Sequence, residues 1–172
     1  TPEELARTNA LLLACGADID ETNTVRKHLS DLSGGRLARA TRAQHVVVLA
    51  ISDVPGDRLD VIGSGPCAPD PTTFADALDV VRRHGIEDEL PPAVRARLLE
   101  GVAGRVAESP KPGDPQLARV RHAILARNAD ALEAMRDAAQ KAGARTHVRA
   151  GALHGEARDA AQRLLVLSDD LV

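Results

Sequence analysis

The sequence predicts an α/β fold, and three observations lead there. Val46 to Ile51 is an uninterrupted apolar run, as expected of a parallel strand covered on both faces. A loop rich in Gly and Pro follows it and ends in a capped, amphipathic helix. Beyond Pro115 the pattern restarts as strand, helix, strand, helix, at Val120–Ala126, Asn128–Ala142, Arg145–Val148 and about Gly155–Leu167, which reads as a parallel α/β unit.

Taken in order, Thr1-Pro2-Glu3-Glu4 carries the signals of a helix start, with an N-cap hydroxyl, a first-turn proline and acids that complement the dipole. That helix runs to Gly16 and is expected to bury Leu5, Leu12, Leu13 and Cys15. A second helix is expected from Asp20 or Glu21 to about Leu32, with Val25, Leu29 and Leu32 as its apolar stripe. Asn23, Arg26, Lys27 and Ser30 share another face of it, rich in donors and free of carboxylates. A solvated face usually mixes charge signs for i,i+4 pairing, so this one suits an anion or an interface, although a plain exposed basic patch has the same pattern. Gly34-Gly35 forms a turn, and Arg36–Arg42 leads into the strand.

The strand's carboxyl end is a candidate ligand edge, because loops there can turn polar groups inward without disturbing the core. Ser52, Asp53 and Asp57 stand on that loop, and Pro55-Gly56 makes a tight turn that can bring both carboxylates to one small volume. Such a volume suits Mg²⁺, which takes one or two protein carboxylates and fills its other positions with water and phosphate oxygens. Equally, the acids can merely cap backbone amides. Gly63-Ser64-Gly65 can point amides at an anion, yet Gly-x-Gly alone also describes an ordinary turn. Asp70 or Thr72 is read as the N-cap of a helix reaching His84, with Phe74, Leu78 and Val81 on its apolar side. Pro91-Pro92 opens another helix to about Glu100. The stretch Glu108–Pro115, with three prolines and a glycine, can continue neither regular structure and is read as a domain boundary. Asn128, after the next strand, is a natural cap that also lies where a nucleotide or substrate could be touched.

Composition excludes several function classes. The net charge is −3 over 172 residues and Phe74 is the sole Phe, Tyr or Trp, so neither a basic stripe nor a stacking platform for nucleic acid exists. No apolar run approaches the roughly 18 residues of a membrane span, and the expected location is cytoplasmic. Cys15 and Cys67 form no Cys-x-x-Cys pair, and the six histidines show no zinc-ligand spacing. No Walker-type phosphate loop occurs.

In combination the motifs are far more specific. Asp-Val-Pro-Gly-Asp at 53–57, Ile-Gly-Ser-Gly-Pro at 62–66 and Pro-Asp-Pro-Thr-Thr-Phe-Ala-Asp-Ala-Leu at 69–78 closely resemble the glycerate 2-kinase family. The resemblance extends upstream to Asn23-Thr24-Val25-Arg26-Lys27-His28-Leu29-Ser30 and Gly34-Gly35-Arg36-Leu37-Ala38. Downstream it reaches Pro110–Pro115 and Leu153-His154-Gly155-Glu156-Ala157-Arg158. One departure is Cys67, where the family commonly has Thr. The resemblance implies a Rossmann-like three-layer αβα fold, incomplete here, with residues 1–109 from the end of a first domain and 110–172 the start of a second α/β domain. The family's cleft lies between its two domains, so the chain is expected to be an internal fragment, inactive alone.

The implied activity is ATP-dependent phosphorylation of D-glycerate at its 2-hydroxyl, with Mg²⁺. On this resemblance Asp53 and Asp57 would hold Mg²⁺ or orient the glycerate hydroxyl, and Arg26 and Lys27 would offset negative charge. Ser52, Gly63, Ser64, Gly65 and Asn23 would contact phosphate or carboxylate, with Asn128 a further candidate. A homo-oligomer is compatible with this. Two alternatives stay open: a hydroxypyruvate reductase, for which the dinucleotide fingerprint is missing since Gly65 runs into Pro66, and a non-catalytic structural remnant.

Overall fold

In the computed structural model, residues 1–149 and 155–169 are described. The helices are α1 (Pro2–Ala14), α2 (Ile19–Leu29), α3 (Arg36–Ala40), α4 (Phe74–Arg83), α5 (Pro92–Val102), α6 (Asn128–Lys141) and α7 (Ala157–Asp169), and the strands are β1 (Val46–Ser52) and β2 (Val120–Arg127). The α/β class is met. The chain divides into two compact units, Thr1–Asn128 and Ala129–Val172.

Local chemistry explains the helix limits. α1 opens on a capping box in which the Thr1 hydroxyl accepts from the Glu4 amide at 3.3 Å. α2 begins at Ile19, one or two residues before its expected start, because Asp18 and Glu21 form a reciprocal box, Glu21 N to Asp18 Oδ1 at 2.8 Å and Asp18 N to Glu21 Oε2 at 3.1 Å. It ends at Leu29, short of Leu32, where the Ser30 hydroxyl accepts from the amides of Leu32 and Ser33 and so competes with the helix. The cap of α4 is Thr73 rather than Asp70 or Thr72.

The core of the first unit is built by α1, α2, α4 and α5: Leu12, Val25, Leu29, Phe74, Leu78, Val81, Val94 and Leu98 are all buried. Phe74 meets the His28 ring edge-on, centroids 4.7 Å apart. A Cβ at Gly101 would lie 2.1 Å from the Phe74 ring, so α5 needs glycine to approach α4. Leu5, Leu13 and Leu32, expected inside, are exposed; Thr8 is buried in α1 instead.

β1 and β2 pair in parallel from Val46↔Val120 to Ser52↔Arg127, with a shift between Ala50 and Ile51. Arg119 fastens the start of β2, donating to the carbonyls of Ala43, Ala38 and Thr41 at 2.6 to 2.8 Å. This pairing keeps residues 120–127 in the first compact unit, which ends at Asn128. The Pro-rich stretch is itself tied down: Asp70 N donates to Pro110 O at 2.8 Å and Phe74 N to Glu108 Oε1 at 2.9 Å. Val47, Leu49 and Ile51 are 63–73% exposed, so one face of β1 is open, unlike the two covered faces its apolar run suggests. Residues 145–148 form no strand, for want of a pairing neighbour among the described residues. Leu153 and His154 of the downstream motif lie outside the described residues.

Candidate functional site

The loop after β1 folds back toward α2 through two left-handed turns. Gly56 and Asp57 adopt φ of 79° and 53°, and Gly63, Ser64 and Gly65 adopt 58°, 60° and 58°. For Asp57 and Ser64 this conformation costs roughly 1–2 kcal/mol each, so neighbouring contacts must hold it. At Ser64 they are visible: its hydroxyl donates to Asn23 Oδ1 at 3.0 Å in a buried contact, and its carbonyl accepts from Gly34 N at 3.0 Å. Gly65 O accepts from Gly35 N at 2.7 Å, and a Cβ on Gly65 would stand 2.8 Å from the Asp60 carbonyl oxygen. The two glycine turns are therefore joined backbone to backbone.

Between α2 and this loop lies a cavity of about 480 Å³. It unites five of the residues expected to form the site: Asn23, Arg26, Asp53, Gly63 and Ser64. Ile19, Ser33, Val54, Pro55 and Val61 complete the wall and were not legible in the sequence. Arg26 and Asp53 are exposed, and among the described residues neither side chain forms a hydrogen bond or ion pair. The site therefore presents a solvated guanidinium, a carboxylate, and a buried Asn23–Ser64 pair.

The other expected residues lie elsewhere. Asp57 is ion-paired with Arg127 at 2.7 Å, and the Ser52 hydroxyl, followed by Arg127, holds its carboxyl below the ordinary value. Ser52 is buried at the strand end, and Gly65 is buried behind the turn. Asn128 is the first residue of α6, continuous with β2, rather than a flanking cap. Lys27 is the main correction: it does not line the cavity. Its side chain is 3% exposed, with Nζ 3.2 Å from Asp70 Oδ1 and 3.6 Å from Asp60 Oδ2.

Asp70 is the centre of a network that the sequence does not reveal, because Lys27 and Ser109 are distant from it along the chain. It accepts from Thr72 N at 3.0 Å, Thr72 Oγ1 at 2.7 Å and Ser109 Oγ at 2.9 Å. Burial alone would raise its pKa, but the Thr72 bonds, the Lys27 charge and the Ser109 hydroxyl outweigh it and leave the carboxyl below its ordinary value. Lys111 bonds the Thr72 carbonyl, Ser109 Oγ and Glu108 in the same cluster.

No group of three or more His, Cys, Asp or Glu able to hold a metal is found among the described residues. Of the two carboxylates expected to hold Mg²⁺, Asp57 is ion-paired with Arg127. Asp53 alone fits Mg²⁺ in the mode that uses a single protein carboxylate, with water and phosphate as the other ligands. No helix among the described residues is long and apolar enough to cross a membrane. A larger hollow of about 710 Å³ in the second unit, lined by Arg149, Glu156, Asp159, Gln162 and Arg163, contains none of the expected residues.

A left-handed loop at the carboxyl end of a parallel strand faces a helix that carries an exposed guanidinium, in a protein of the α/β class. The chain belongs to the family described as Domain of unknown function (DUF4147), which matches residues 1–99. It is 40% identical over 158 residues to the glycerate 2-kinase of Pyrococcus horikoshii, covering 92% of this chain and 35% of that protein. It is 47% identical over 151 residues to a putative hydroxypyruvate reductase of Agrobacterium vitis, covering 88% of this chain and 32% of that protein. The crystal structure of glycerate kinase from Thermotoga maritima superposes with a TM-score of 0.71 at 35% identity, covering 99% of this chain and 38% of that one. The chain thus spans about a third of the length of the curated relatives it matches. The resemblance to the glycerate 2-kinase family read from the motifs is supported by these findings.

Proposed function

We propose that this chain supplies the anion-binding wall of an ATP-dependent glycerate 2-kinase, which transfers the γ-phosphoryl group of ATP to the 2-hydroxyl of D-glycerate. The observation that carries this reading is the cavity at the end of β1, which gathers Asn23, Arg26, Asp53, Gly63 and Ser64 from segments separated in sequence. D-glycerate is a small carboxylate bearing hydroxyls, and such a ligand needs one cation, a few directed donors and an acceptor for the reacting hydroxyl. Arg26 supplies the cation and a forked donor geometry suited to carboxylate or phosphate. Asn23 orients Ser64 by accepting from its hydroxyl at 3.0 Å and itself lines the cavity. Asp53 orients the 2-hydroxyl or holds Mg²⁺; when bound, the ion would offset charge on the phosphate oxygens. The enzyme is placed in the cytoplasm, where ATP is supplied.

The test is a coupled assay of the full-length gene product with D-glycerate and ATP against hydroxypyruvate and NADH. We expect 2-phosphoglycerate and ADP with the first pair and no NADH oxidation with the second. The reverse would install the reductase reading; neither activity would leave a structural remnant. In the active protein Asp53→Asn should lower kcat by about 10²–10³-fold with an unchanged Tm. Near-normal turnover at saturating Mg²⁺ would remove Asp53 from the reaction. Residues 1–172 alone are expected to be inactive.

A further inference from the structure

We propose that Lys27 is a positioning residue, which locks α2 to the 60–65 turn so that Asn23 and Ser64 meet at the cavity wall. It rests on the reading of that cavity as the substrate site. Lys27 follows Asn23 by four residues and shares its helix face. A buried ammonium is too costly to leave without partners, so the rotation of α2 about its axis is set by the carboxylates that Lys27 reaches, Asp70 at 3.2 Å and Asp60 at 3.6 Å.

Both carboxylates are themselves fixed. Asp70, fully buried, is held by Thr72 and Ser109. Asp60 is held by Arg58, with Nη2 to Oδ2 at 3.0 Å, and its backbone lies directly against Gly65. Arg36 Nη1 donates to the Lys27 carbonyl at 2.6 Å and secures the end of the helix. The contacts close a ring: Asp60 supports Gly65, Gly65 adjoins Ser64, Ser64 bonds Asn23, and one turn of α2 returns to Lys27, which pairs with Asp60. Ser64 keeps its left-handed φ of 60° only while this ring is intact. Since Lys27 does not border the cavity, its charge reaches a ligand there through the geometry it imposes.

The experiment has two arms. Amide hydrogen exchange is measured on the 172-residue chain for Lys27→Met and for Lys27→Met combined with Asp70→Asn, which leaves no unpaired buried charge. The positioning role predicts exchange about tenfold faster at Gly34 and Gly35, whose N–H groups bond Ser64 and Gly65, with amides inside α4 changed far less. Asp60→Asn, at a partly exposed site, should give the same local signature if either Lys27 variant fails to fold. In the full-length gene product, the double variant should lose on the order of a hundredfold in kcat/KM for D-glycerate, the cost of displacing groups by about 1 Å. Unchanged exchange at Gly34 and Gly35, or uniform acceleration throughout all three variants, would overturn the proposal. Absence of glycerate phosphorylation by the unsubstituted protein would instead refute the kinase reading, and the exchange arm would still decide the lock.

Discussion

α2 and β1 invert the usual relation between polarity and burial. α2 is polar in sequence, yet Thr22, Asn23, Thr24, Lys27 and His28 are buried along with Val25 and Leu29. β1 is apolar from Val46 to Ile51, yet Val47, Leu49 and Ile51 are exposed. A buried polar helix face is tolerated only when its groups are partnered, and α2 meets that condition at Asn23 through Ser64, at Lys27 through Asp70 and Asp60, and at His28 Nδ1 through the Thr24 carbonyl, with His28 Nε2 left without a hydrogen bond. Exposed apolar strand positions carry no such penalty and only forgo burial. The difference teaches that α2, the costlier element to place, marks the site more sharply than the apolar strand β1.

The most severe way to break the comparison is Asp70→Ala, which leaves the Lys27 ammonium buried without its nearer partner. Losing one member of a buried pair costs about 3–5 kcal/mol, and urea unfolding of the chain should show it. A loss below about 1 kcal/mol would mean that the ammonium reaches solvent and that the network is not needed for the fold.

A smaller effect comes from pH. His28 bonds the Thr24 carbonyl through Nδ1 at 2.8 Å, and its Nε2 faces Glu108 at 3.3 Å and Asp70 at 3.8 Å, with Lys111 nearby. Burial lowers its pKa below the ordinary 6.5, opposed by the Thr24 bond and the two carboxylates. The folded state then binds its proton less readily than the unfolded state. Its contribution is fully present above pH 6.5 and is lost as pH falls through that value toward the folded pKa, by at most ~1.4 kcal/mol per pH unit. Unfolding of the unsubstituted chain and His28→Gln between pH 7.5 and about 5 should differ by this slope; parallel curves would show that His28 is not the group responsible. The lowered carboxyl of Asp70 acts in a separate, more acidic window, its contribution present above the ordinary value of 3.8 and lost as pH falls through its lower folded value.

Smallest of all should be Leu49→Thr on the open face of β1. An exposed substitution of this kind changes stability by less than about 0.5 kcal/mol, and thermal unfolding of the 172-residue chain should detect almost nothing. A loss of 2 kcal/mol or more would show that this face is covered in solution, and the contrast with α2 would disappear.

The sequence by itself determined whatever depends on near neighbours. The Thr1-Pro2 start of α1, the strand at 46–51, the turn at 63–65 and the α/β class all follow from capping, periodicity and glycine geometry acting over a few residues. The loop's Asp53, Gly63 and Ser64 were legible for the same reason, as were Asn23 and Arg26 on one helix face. Only the tertiary structure decided which of these meet. Arg26 and Lys27 are adjacent and chemically alike, but the 100° step between consecutive helical positions sends one to solvent beside the cavity and the other to Asp70, 43 residues away. Asp57 likewise is captured by Arg127 across 70 residues. A charge's role depends on what folding places within a few ångströms of it, and local sequence carries no record of partners that far along the chain.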